Sequence, residues 1–305
     1  MSQKTIQSNG AGSVGDLLAH ESTEMREACQ ERKNYRRGRW AIYFFLGVVI
    51  VCQLLPFYLA VTSSLKPADD MTSALVPRMH NLAWDNWTTA ITEGGILTSV
   101  FNSVIVTVCT TVLVCVFGAM AAYPLARRQT RFNGAVSAFI LSMMMIPPLS
   151  ILVPLYSFLV KINAANTYWG IILVLTATNL PLAVFLYTAF IKAIPPAIDE
   201  AGTIDGANRL QVFLRLILPM LKPVTATVVI MTGSTVWNDY ALSSYILTDT
   251  ARQTIAPRVA SFFSANTNNL GIAAAAALIA AVPMVVAYVF LQKYFIAGMV
   301  AGAVK

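Results

Sequence analysis

The segment Glu200–Pro219 reads EAGTIDGANRLQVFLRLILP and stands between hydrophobic runs that are each long enough to cross a lipid bilayer. It begins with an acid and small residues, continues through the turn signal Asp205-Gly206, and closes with Leu218-Pro219. A plain connecting loop requires no such order, because turn-forming and polar residues are enough for it. The pattern therefore predicts a structured polar element on a membrane protein, of the kind that contacts another protein.

The composition excludes most soluble proteins. The chain has 305 residues, of which 57% are hydrophobic and only 11% are charged, and its mean hydropathy is +0.65. Soluble domains carry roughly 25% charged residues, so a polytopic membrane protein is predicted. The formal charge of +7 comes from Lys and Arg beside the hydrophobic runs, which argues against nucleic-acid binding. The four Cys and two His form no ligand-spaced cluster, so no metal site is predicted.

Six hydrophobic runs are predicted to be transmembrane helices. Each exceeds the roughly 20 residues that cross about 30 Å of hydrocarbon, and backbone groups in lipid must be hydrogen-bonded internally. The predicted fold is therefore an all-α integral membrane protein. The runs are Trp40–Val61, Thr98–Leu125, Ala135–Val160, Tyr168–Phe190, Val224–Leu247 and Gly271–Gln292.

Prolines interrupt three of these runs. They are Pro147, Pro148 and Pro154 in the third, Pro181 in the fourth and Pro283 in the sixth. An interior proline frees a carbonyl and bends a helix. Two interpretations stay open: simple packing kinks, or bends that shape a translocation cavity.

The charge distribution predicts the orientation. If the six runs alternate in direction, 16 of the 21 Lys and Arg residues fall on the side of the two termini, and such residues favour the cytoplasm. The chain then divides into a flexible cytoplasmic tail (1–39), a first transmembrane helix with an extracytoplasmic loop (40–97), a transmembrane core (98–292) that includes cytoplasmic helices within 196–217, and a cytoplasmic C-terminal tail (293–305). A short interfacial helix is predicted around Trp84 and Trp87, since Trp favours the headgroup level.

The local pattern predicts two short helices in the polar segment. Proline suits the first turn of a helix, so one helix should begin near Pro196 and carry Asp199 and Glu200 where acids complement its N-terminus. Gly206 should have either a positive φ or a close approach to a partner. A second helix follows, with an apolar face of Leu210, Phe213, Leu214 and Ile217. We call this pair of helices, residues 196–219, the knob.

The knob resembles the EAA motif of permease subunits in bacterial ABC importers. In that motif EAA is followed after three residues by G, and after nine more by I-x-L-P. Glu200-Ala201-Gly202 stands for EAA, Gly206 for the glycine, and Leu216-Ile217-Leu218-Pro219 for the end. The two departures, Gly202 for alanine and Leu216 for isoleucine, are conservative in size, although glycine loosens a helix by up to about 1 kcal/mol relative to alanine.

Other segments resemble the sugar-importer branch of this family, in particular the second permease subunit of the maltose/glycerol-phosphate type. They are Ser64–Pro67, Asn102-Ser103, Ala121–Arg127, Asp205–Ala207 with Phe213 and Pro223, Trp237–Asp239, and Ala301–Lys305. The resemblance covers nearly everything from the first hydrophobic run onward, but not the N-terminal tail.

The resemblance implies a six-helix type-1 importer permease in a bacterial plasma (inner) membrane, in contact with membrane lipid. The implied partners are a second, different permease, two cytosolic ATPase subunits, an extracytoplasmic solute-binding protein and a carbohydrate. In the family the knob occupies a cleft on the ATPase and transmits its closure. The implied coupling residues are Glu200, Ala201, Gly202, Asp205, Gly206, Ala207, Phe213, Leu218 and Pro219.

The chain itself is predicted to be a transport subunit and not an enzyme, with no catalytic residue. It contains no GxxxxGK[ST] sequence, so it does not bind ATP through a P-loop. ATP and Mg are therefore expected on the separate ATPase, and no cofactor on this chain.

Four polar residues inside predicted spans are candidates for the translocation pathway. Asp239 is the only acid in a predicted span, and intramembrane ionisable residues are costly and commonly functional. With Asn238 it would bond a sugar hydroxyl, contact the partner permease or cap a helix break. A structural role is favoured, because in relatives of this type the sugar site lies chiefly on the other subunit. For Asn102 and Asn179, hydrogen bonding between helices is the favoured interpretation.

Three classes of function compete. The first is an ABC importer permease for a carbohydrate, with a di- or oligosaccharide favoured and a glycerol-phosphate or another small polar solute as the alternative. An ion-coupled carrier or channel predicts several intramembrane charges, and only Asp239 is available. An integral-membrane enzyme needs clustered His, Asp or Glu near a membrane face, which the sequence does not suggest. The ABC importer permease explains more of the motifs described above than either of the other two classes.

Overall fold

The structure, a computed structural model, describes residues 42–68, 70, 75, 82–263 and 270–303. The predicted tail at 1–39 and the last two residues of the Ala301–Lys305 segment lie outside the described residues. The chain divides into two compact units, residues 1–59 and 60–305. The first helix, α1 (Ile42–Ser64), begins in the first unit, and all later helices belong to the second.

All regular secondary structure of the described residues is helical. The helices after α1 are α2 (Asp85–Thr92), α3 (Ile96–Arg127), α4 (Arg131–Met143), a 3₁₀ turn (Pro148–Ile151), α5 (Leu152–Lys161), α6 (Tyr168–Ala193), α7 (Ala197–Ile204), α8 (Arg209–Val212), a π-helical turn (Phe213–Ile217), α9 (Leu218–Met220), α10 (Lys222–Trp237), α11 (Ala241–Ile246), α12 (Ile255–Phe262) and α13 (Leu270–Ala303).

Four described helices are long and apolar enough to cross a membrane, and the number rises to six if each of two bent pairs is one span. The four are Ile42–Ser64, Ile96–Arg127, Tyr168–Ala193 and Leu270–Phe290. They confirm the predicted first, second, fourth and sixth spans with small shifts at the ends. The last of these helices continues to Ala303, through most of the predicted C-terminal tail.

The predicted third span, Ala135–Val160, is interrupted near Pro147-Pro148, as the sequence predicts. Arg131–Met143 and Pro148–Lys161 are separate pieces bent by 91°. The chain is extended at Pro147 (φ −63, ψ 127) before the 3₁₀ turn, because a residue that precedes a proline is disfavoured in the α region. Pro181 and Pro283, by contrast, lie inside unbroken helices.

The predicted fifth span, Val224–Leu247, ends too late. Its helix, α10, stops at Trp237, and α11 begins at Ala241 after a break. On its other side α10 is bent by 73° from the Arg209–Met220 segment. The prediction followed hydropathy alone, whereas the helix ends at the polar pair Asn238-Asp239.

The predicted short helix in the loop after α1 is present as α2, which contains Trp87 and follows the exposed Trp84. Its buried residues are Asn86 and Ala90. Ala90 belongs to a cluster with Trp237 at the end of α10 and Ala275 and Ala276 of α13. This cluster joins the loop helix to the last long helix.

The core of the second unit lies where α3 packs along α6 and α10. Gly118 allows the close approach of α3 to α6, because a Cβ on it would lie 3.1 Å from Ala183 Cβ and 3.3 Å from Tyr187 Cδ2. Tyr187 is completely buried, and its hydroxyl donates a hydrogen bond of 3.1 Å to Thr225 Oγ1 on α10. Inside a membrane the hydrophobic effect contributes little to helix association, because lipid is as apolar as the helices. Helices associate there through close packing at small residues and through buried polar contacts. The core therefore fixes these three helices, whose ends carry the knob.

Candidate functional site

The first helix of the knob, α7, begins directly after Pro195-Pro196, as the sequence predicts. Pro196 occupies the N-cap position, and Asp199 and Glu200 stand in the first turn, where carboxylates complement the unpaired N–H groups. Gly202 is the buried residue of this helix. A Cβ there would lie 2.7 Å from Leu216 Cδ1 and 3.2 Å from Val212 Cγ2. The missing side chain is thus what allows α7 to pack closely on the second half of the knob.

The turn of the knob is a glycine C-cap. Gly206 has φ +84, which satisfies the prediction of a positive φ. Its N–H donates to Thr203 O at 3.0 Å, and the Ala207 N–H donates to Gly202 O at 3.0 Å. These two bonds form the Schellman motif, which pairs the last carbonyls of a helix and requires a left-handed residue after its end. No atom lies within 4 Å of a Cβ placed on Gly206, so within this chain the requirement is conformational and not steric.

The second half of the knob begins with a capping box. Asn208 Oδ1 accepts from the Gln211 N–H and Gln211 Oε1 accepts from the Asn208 N–H, both at 2.9 Å, which pairs two otherwise free donors at the start of the helix. A π-helical turn follows over Phe213–Ile217, and the Leu218 N–H donates to Phe213 O. Pro219 has no N–H to continue the α-helical pattern, and the wider turn occurs just before it.

The predicted apolar face of the second helix is only half right. Phe213 (5% exposed) and Ile217 (0%) are buried, but Leu210 (60%) and Leu214 (48%) are exposed. The buried partners are instead Val212 and Leu221. The predicted face follows from the spacing of a regular α-helix. The π-helical turn contains an extra residue per turn and therefore changes which side chains share a face.

Three side chains connect the knob to the membrane helices. Arg127, at the end of α3, places Nη2 2.7 Å from Asp199 Oδ2, and its Nη1 donates to the carbonyls of Ile191 at 3.1 Å and Ile194 at 2.8 Å. The Tyr123 hydroxyl donates to Asp199 Oδ1 at 2.7 Å. We call this set, Tyr123, Arg127, Asp199 and the two carbonyls, the clasp.

The clasp was missed by sequence reasoning. The sequence identifies Tyr123 and Arg127 only through the Ala121–Arg127 resemblance, and Asp199 only as an acid at a helix N-terminus. The Tyr123–Asp199 bond joins residues 76 positions apart, and no local spacing reveals such a pair. The one available signal was a cation in the last turn of α3 and an acid in the first turn of α7, on the same predicted side of the membrane.

A groove of about 760 Å³ lies between the end of α3 and the knob. Apolar residues and both signs of charge line it. They are Met120, Tyr123, Pro124, Arg127, Arg128, Pro196, Asp199, Glu200, Thr203, Ile204, Arg209, Leu210, Val212 and Phe213. Ile204 is 85% exposed, an unusual state for a large apolar side chain beside exposed Leu210. The groove and these side chains form a surface that a partner protein can cover.

The structure separates the predicted coupling residues by position. Gly202 and Phe213 are buried inside the knob and Ala207 is half-buried, so these three shape it. The exposed members are Glu200, Ala201, Asp205, Gly206, Leu218 and Pro219. Those six are the ones available for contact with another chain.

Asn102 lies at the other end of α3 from the knob and is 2% exposed. Its Nδ2 donates to the carbonyls of Ala251 and Gln253, both at 3.0 Å, and its Oδ1 accepts from the Tyr168 hydroxyl at 2.8 Å. Every polar position of this amide is occupied by groups of the same chain. Asn102 therefore joins α3, α6 and the loop that follows α11.

The other three pathway candidates lie apart from Asn102 along the chain and make local bonds. Asn179 Nδ2 donates to Leu175 O at 2.8 Å, and Asn238 Nδ2 donates to Ser234 O at 2.9 Å. Asp239 Oδ2 accepts from both the N–H and the hydroxyl of Ser243 at 2.8 Å. Asp239 thus forms capping bonds to the first turn of α11 at the break after α10, from the position before the N-cap residue Tyr240, and a cap at a helix break is one of its three predicted roles.

A comparison with known protein families identifies the chain. The model of the family described as the inner membrane component of binding-protein-dependent transport systems matches residues 115–300. The chain belongs to this family. It is a permease subunit of an ABC importer, a multi-pass membrane protein and not an enzyme, and permeases of this family work with a solute-binding protein, ATPase subunits and a second permease.

Several curated proteins are similar to this permease. The melibiose/raffinose/stachyose import permease MelC of Bacillus subtilis is 42% identical over 266 residues, which cover 87% of this chain and 96% of MelC. The multiple sugar-binding transport system permease MsmG of Streptococcus mutans is 32% identical over 268 residues, which cover 86% of this chain and 96% of MsmG.

A solved structure has the same fold. It is the crystal structure of a bacterial ABC transporter involved in the import of the acidic polysaccharide alginate, with a TM-score of 0.70 at 17% identity over 95% of this permease and 100% of that chain. At that identity the likeness shows the type-1 importer permease fold of the chain and no more.

Proposed function

We propose that this permease, together with a second and different permease, forms the pathway for a di- or oligosaccharide that a solute-binding protein delivers. The 42% identity to MelC over 266 residues is the observation that supports a carbohydrate substrate. The organisms and substrates differ among the relatives, so the class of sugar is proposed and not the individual sugar.

We further propose that the knob is the site where the ATPase subunit binds. Its exposed side chains Ile204 and Leu210 both line the 760 Å³ groove, and large apolar side chains exposed together are typical of a protein interface. The exposed Glu200 and Asp205 supply charge at its rim. ATP and Mg would bind the ATPase, so this chain would contribute only the mechanical contact.

The substrate is tested by uptake into proteoliposomes that contain the complete transport complex. We expect uptake of melibiose, raffinose or stachyose that depends on internal ATP and on the solute-binding protein. Uptake of glycerol 3-phosphate in place of every sugar would overturn the carbohydrate assignment, and uptake without ATP would overturn the assignment of the coupling site.

The proposed orientation places both termini, and with them the knob, in the cytoplasm. It is supported by the 16 of 21 Lys and Arg on that side, since such residues favour the cytoplasm. The orientation is tested with two single-cysteine variants of a chain whose native cysteines have been replaced. Gln129→Cys follows α3 and marks the predicted cytoplasmic side, and Thr250→Cys follows α11 and marks the predicted external side. A membrane-impermeant maleimide added to spheroplasts should label Thr250→Cys and leave Gln129→Cys unmodified. The reverse pattern would invert the topology.

A further inference from the structure

The clasp connects three separate parts of the chain through one guanidinium. Arg127 belongs to α3, the carbonyls of Ile191 and Ile194 end α6, and Asp199 belongs to α7 of the knob. Tyr123 stands one turn before Arg127 on the same face of α3 and bonds the second oxygen of the same carboxylate. Both oxygens of Asp199 are thus directed at α3.

The surroundings of the clasp favour the attraction between its charges, and the contact of Arg127 Nη2 with Asp199 Oδ2 is an ion pair without hydrogen-bond geometry. The side chains of Arg127 and Asp199 are only 14% and 18% exposed, so water screens their attraction less than it does at an open surface. The carbonyls at the end of α6 carry the partial negative charge of a helix C-terminus, which favours a cation. Guanidinium is planar with several fixed donors, and it can therefore serve the carboxylate and the carbonyls at once.

The other links between the knob and α3 are apolar. The Tyr123 ring contacts the Phe213 ring with centroids 5.2 Å apart, and Phe213 belongs to the same buried cluster as Ala122 and Ala126 of α3. Apolar contacts of this kind have no fixed direction. The knob follows α6 directly through Ile194-Pro195-Pro196, a short link in which proline restricts φ. α6 is therefore tied to the knob by the chain itself, whereas the directional, polar contacts between α3 and the knob are those of the clasp.

We propose that Arg127 and Tyr123 are positioning residues that make the cytoplasmic ends of α3 and α6 move as one body with the knob when the ATPase displaces it. This rests on the proposed binding of the ATPase to the knob. The clasp then determines which membrane helices respond to nucleotide, and Arg127 contributes more than Tyr123 because it contacts both α6 and α7.

The test measures a distance in the assembled complex of both permeases and the ATPase subunits in nanodiscs. One spin label is placed at exposed Gln129, two residues after Arg127, and one on the ATPase beside the knob. Distances are recorded without nucleotide and with Mg·ATP bound to a hydrolysis-deficient ATPase. In the wild-type chain we expect this distance to stay the same when nucleotide closes the ATPase, because the end of α3 follows the knob.

The variants Arg127→Gln and Asp199→Asn should make the distance change with nucleotide, since the knob then moves without α3. Tyr123→Phe removes one hydroxyl and keeps the ring contact, so its change should be smaller and the fold is least disturbed. Combining Arg127→Gln with Asp199→Asn should add little to Arg127→Gln alone. Arg131→Gln, an identical substitution at an exposed position on α4, is the matched control and should behave as the wild type.

Each outcome decides between the two proposals. A distance that stays constant in Arg127→Gln and in Tyr123→Phe overturns the clasp, and so does loss of the ATPase from these variants, because that shows a purely structural role. A wild-type permease that fails to bind the ATPase overturns the proposed function instead.

Discussion

Gly202 and Leu216, the two residues at which the knob departs from the EAA motif, face each other across the knob. A Cβ on Gly202 would lie 2.7 Å from Leu216 Cδ1, so the side chain absent from one position leaves the space that the other occupies. The sequence presents these as two separate and minor departures. In the structure they are one local arrangement, since the residue that lost a methyl group stands opposite the one whose branch reaches farther.

The Gly202–Leu216 contact predicts non-additive stability. Gly202→Ala alone gains up to about 1 kcal/mol of helix propensity but pushes Leu216 aside, so its net effect should be near zero. With Leu216→Ile, whose branch lies closer to the backbone, the new methyl group fits. We expect the stability gained by the double variant to exceed the sum of the two single changes by about 0.5–1 kcal/mol, because substitutions at contacting residues are not additive. Apparent melting temperatures of the purified permease measure this, and strict additivity would contradict it.

The positive φ of Gly206 predicts an order of substitutions that separates conformation from contact with a partner. An L-residue in the left-handed region costs about 1–2 kcal/mol, and asparagine tolerates it better than alanine. If the backbone conformation of Gly206 determines the effect of a substitution, more ATPase should co-purify with Gly206→Asn than with Gly206→Ala, although asparagine is larger. If the ATPase approaches Gly206 closely, the order should reverse. Gly206→Asp should leave the subunit inserted in the membrane and reduce both ATPase association and uptake.

The bonds of Asn102 predict a structural phenotype at the end of the permease away from the knob. Asn102→Asp keeps the shape but replaces the donor that serves Ala251 and Gln253 with an oxygen, and each unpaired buried group costs about 1–3 kcal/mol. We expect faster amide hydrogen exchange in residues 251–255 with the order of preference among sugars unchanged. Gln129→Glu, the same change from an amide to an acid at an exposed side chain after α3, is the matched control. A changed sugar preference in Asn102→Asp would assign the residue to the pathway.

The cap formed by Asp239 predicts which replacements are tolerated. Asn and Ser can also accept a hydrogen bond from the Ser243 N–H, whereas Ala cannot, and loss of an N-cap costs about 0.5–2 kcal/mol. Asp239→Asn and Asp239→Ser should therefore keep near wild-type stability and uptake, and Asp239→Ala should lower the apparent melting temperature. If Asp239→Asn alters the sugar that is taken up while Asp239→Ala remains stable, the cap is not the main role of this carboxylate.

Much of the helical architecture could be predicted, because the physical signals are local. Hydrophobic length specified α1, α3, α6 and α13, and Pro196 with Asp205-Gly206 specified the limits of α7. The bend of 91° near Pro147 could not be read from the sequence. A proline indicates a possible break, but the direction in which the chain continues depends on tertiary packing.

The sequence predicted the position of the knob but not the contacts that join it to the membrane helices. The motif located the knob, and periodicity predicted the burial of Phe213, but the exposure of Leu210 and Leu214 accompanies a π-helical turn that periodicity does not reveal. The contact between Arg127 and Asp199 joins distant segments, and it arises from the packing of α3 on α6. Local patterns identify the elements, whereas the pairs that join them require the fold.

The π-helical turn at Phe213–Ile217 makes the length of the knob segment matter residue by residue. The wide turn completes its rotation with one residue more than a regular turn, so deleting one residue inside it would restore a regular turn and keep Leu210 and Ile204 pointing in nearly the same direction relative to α10. Adding one residue to the regular helix beside it would instead rotate both side chains by about 100°. Point substitutions in this segment change the strength of a contact, whereas such an insertion would change its direction, and the number of residues between Gly206 and Pro219 is in that sense a functional dimension of the chain.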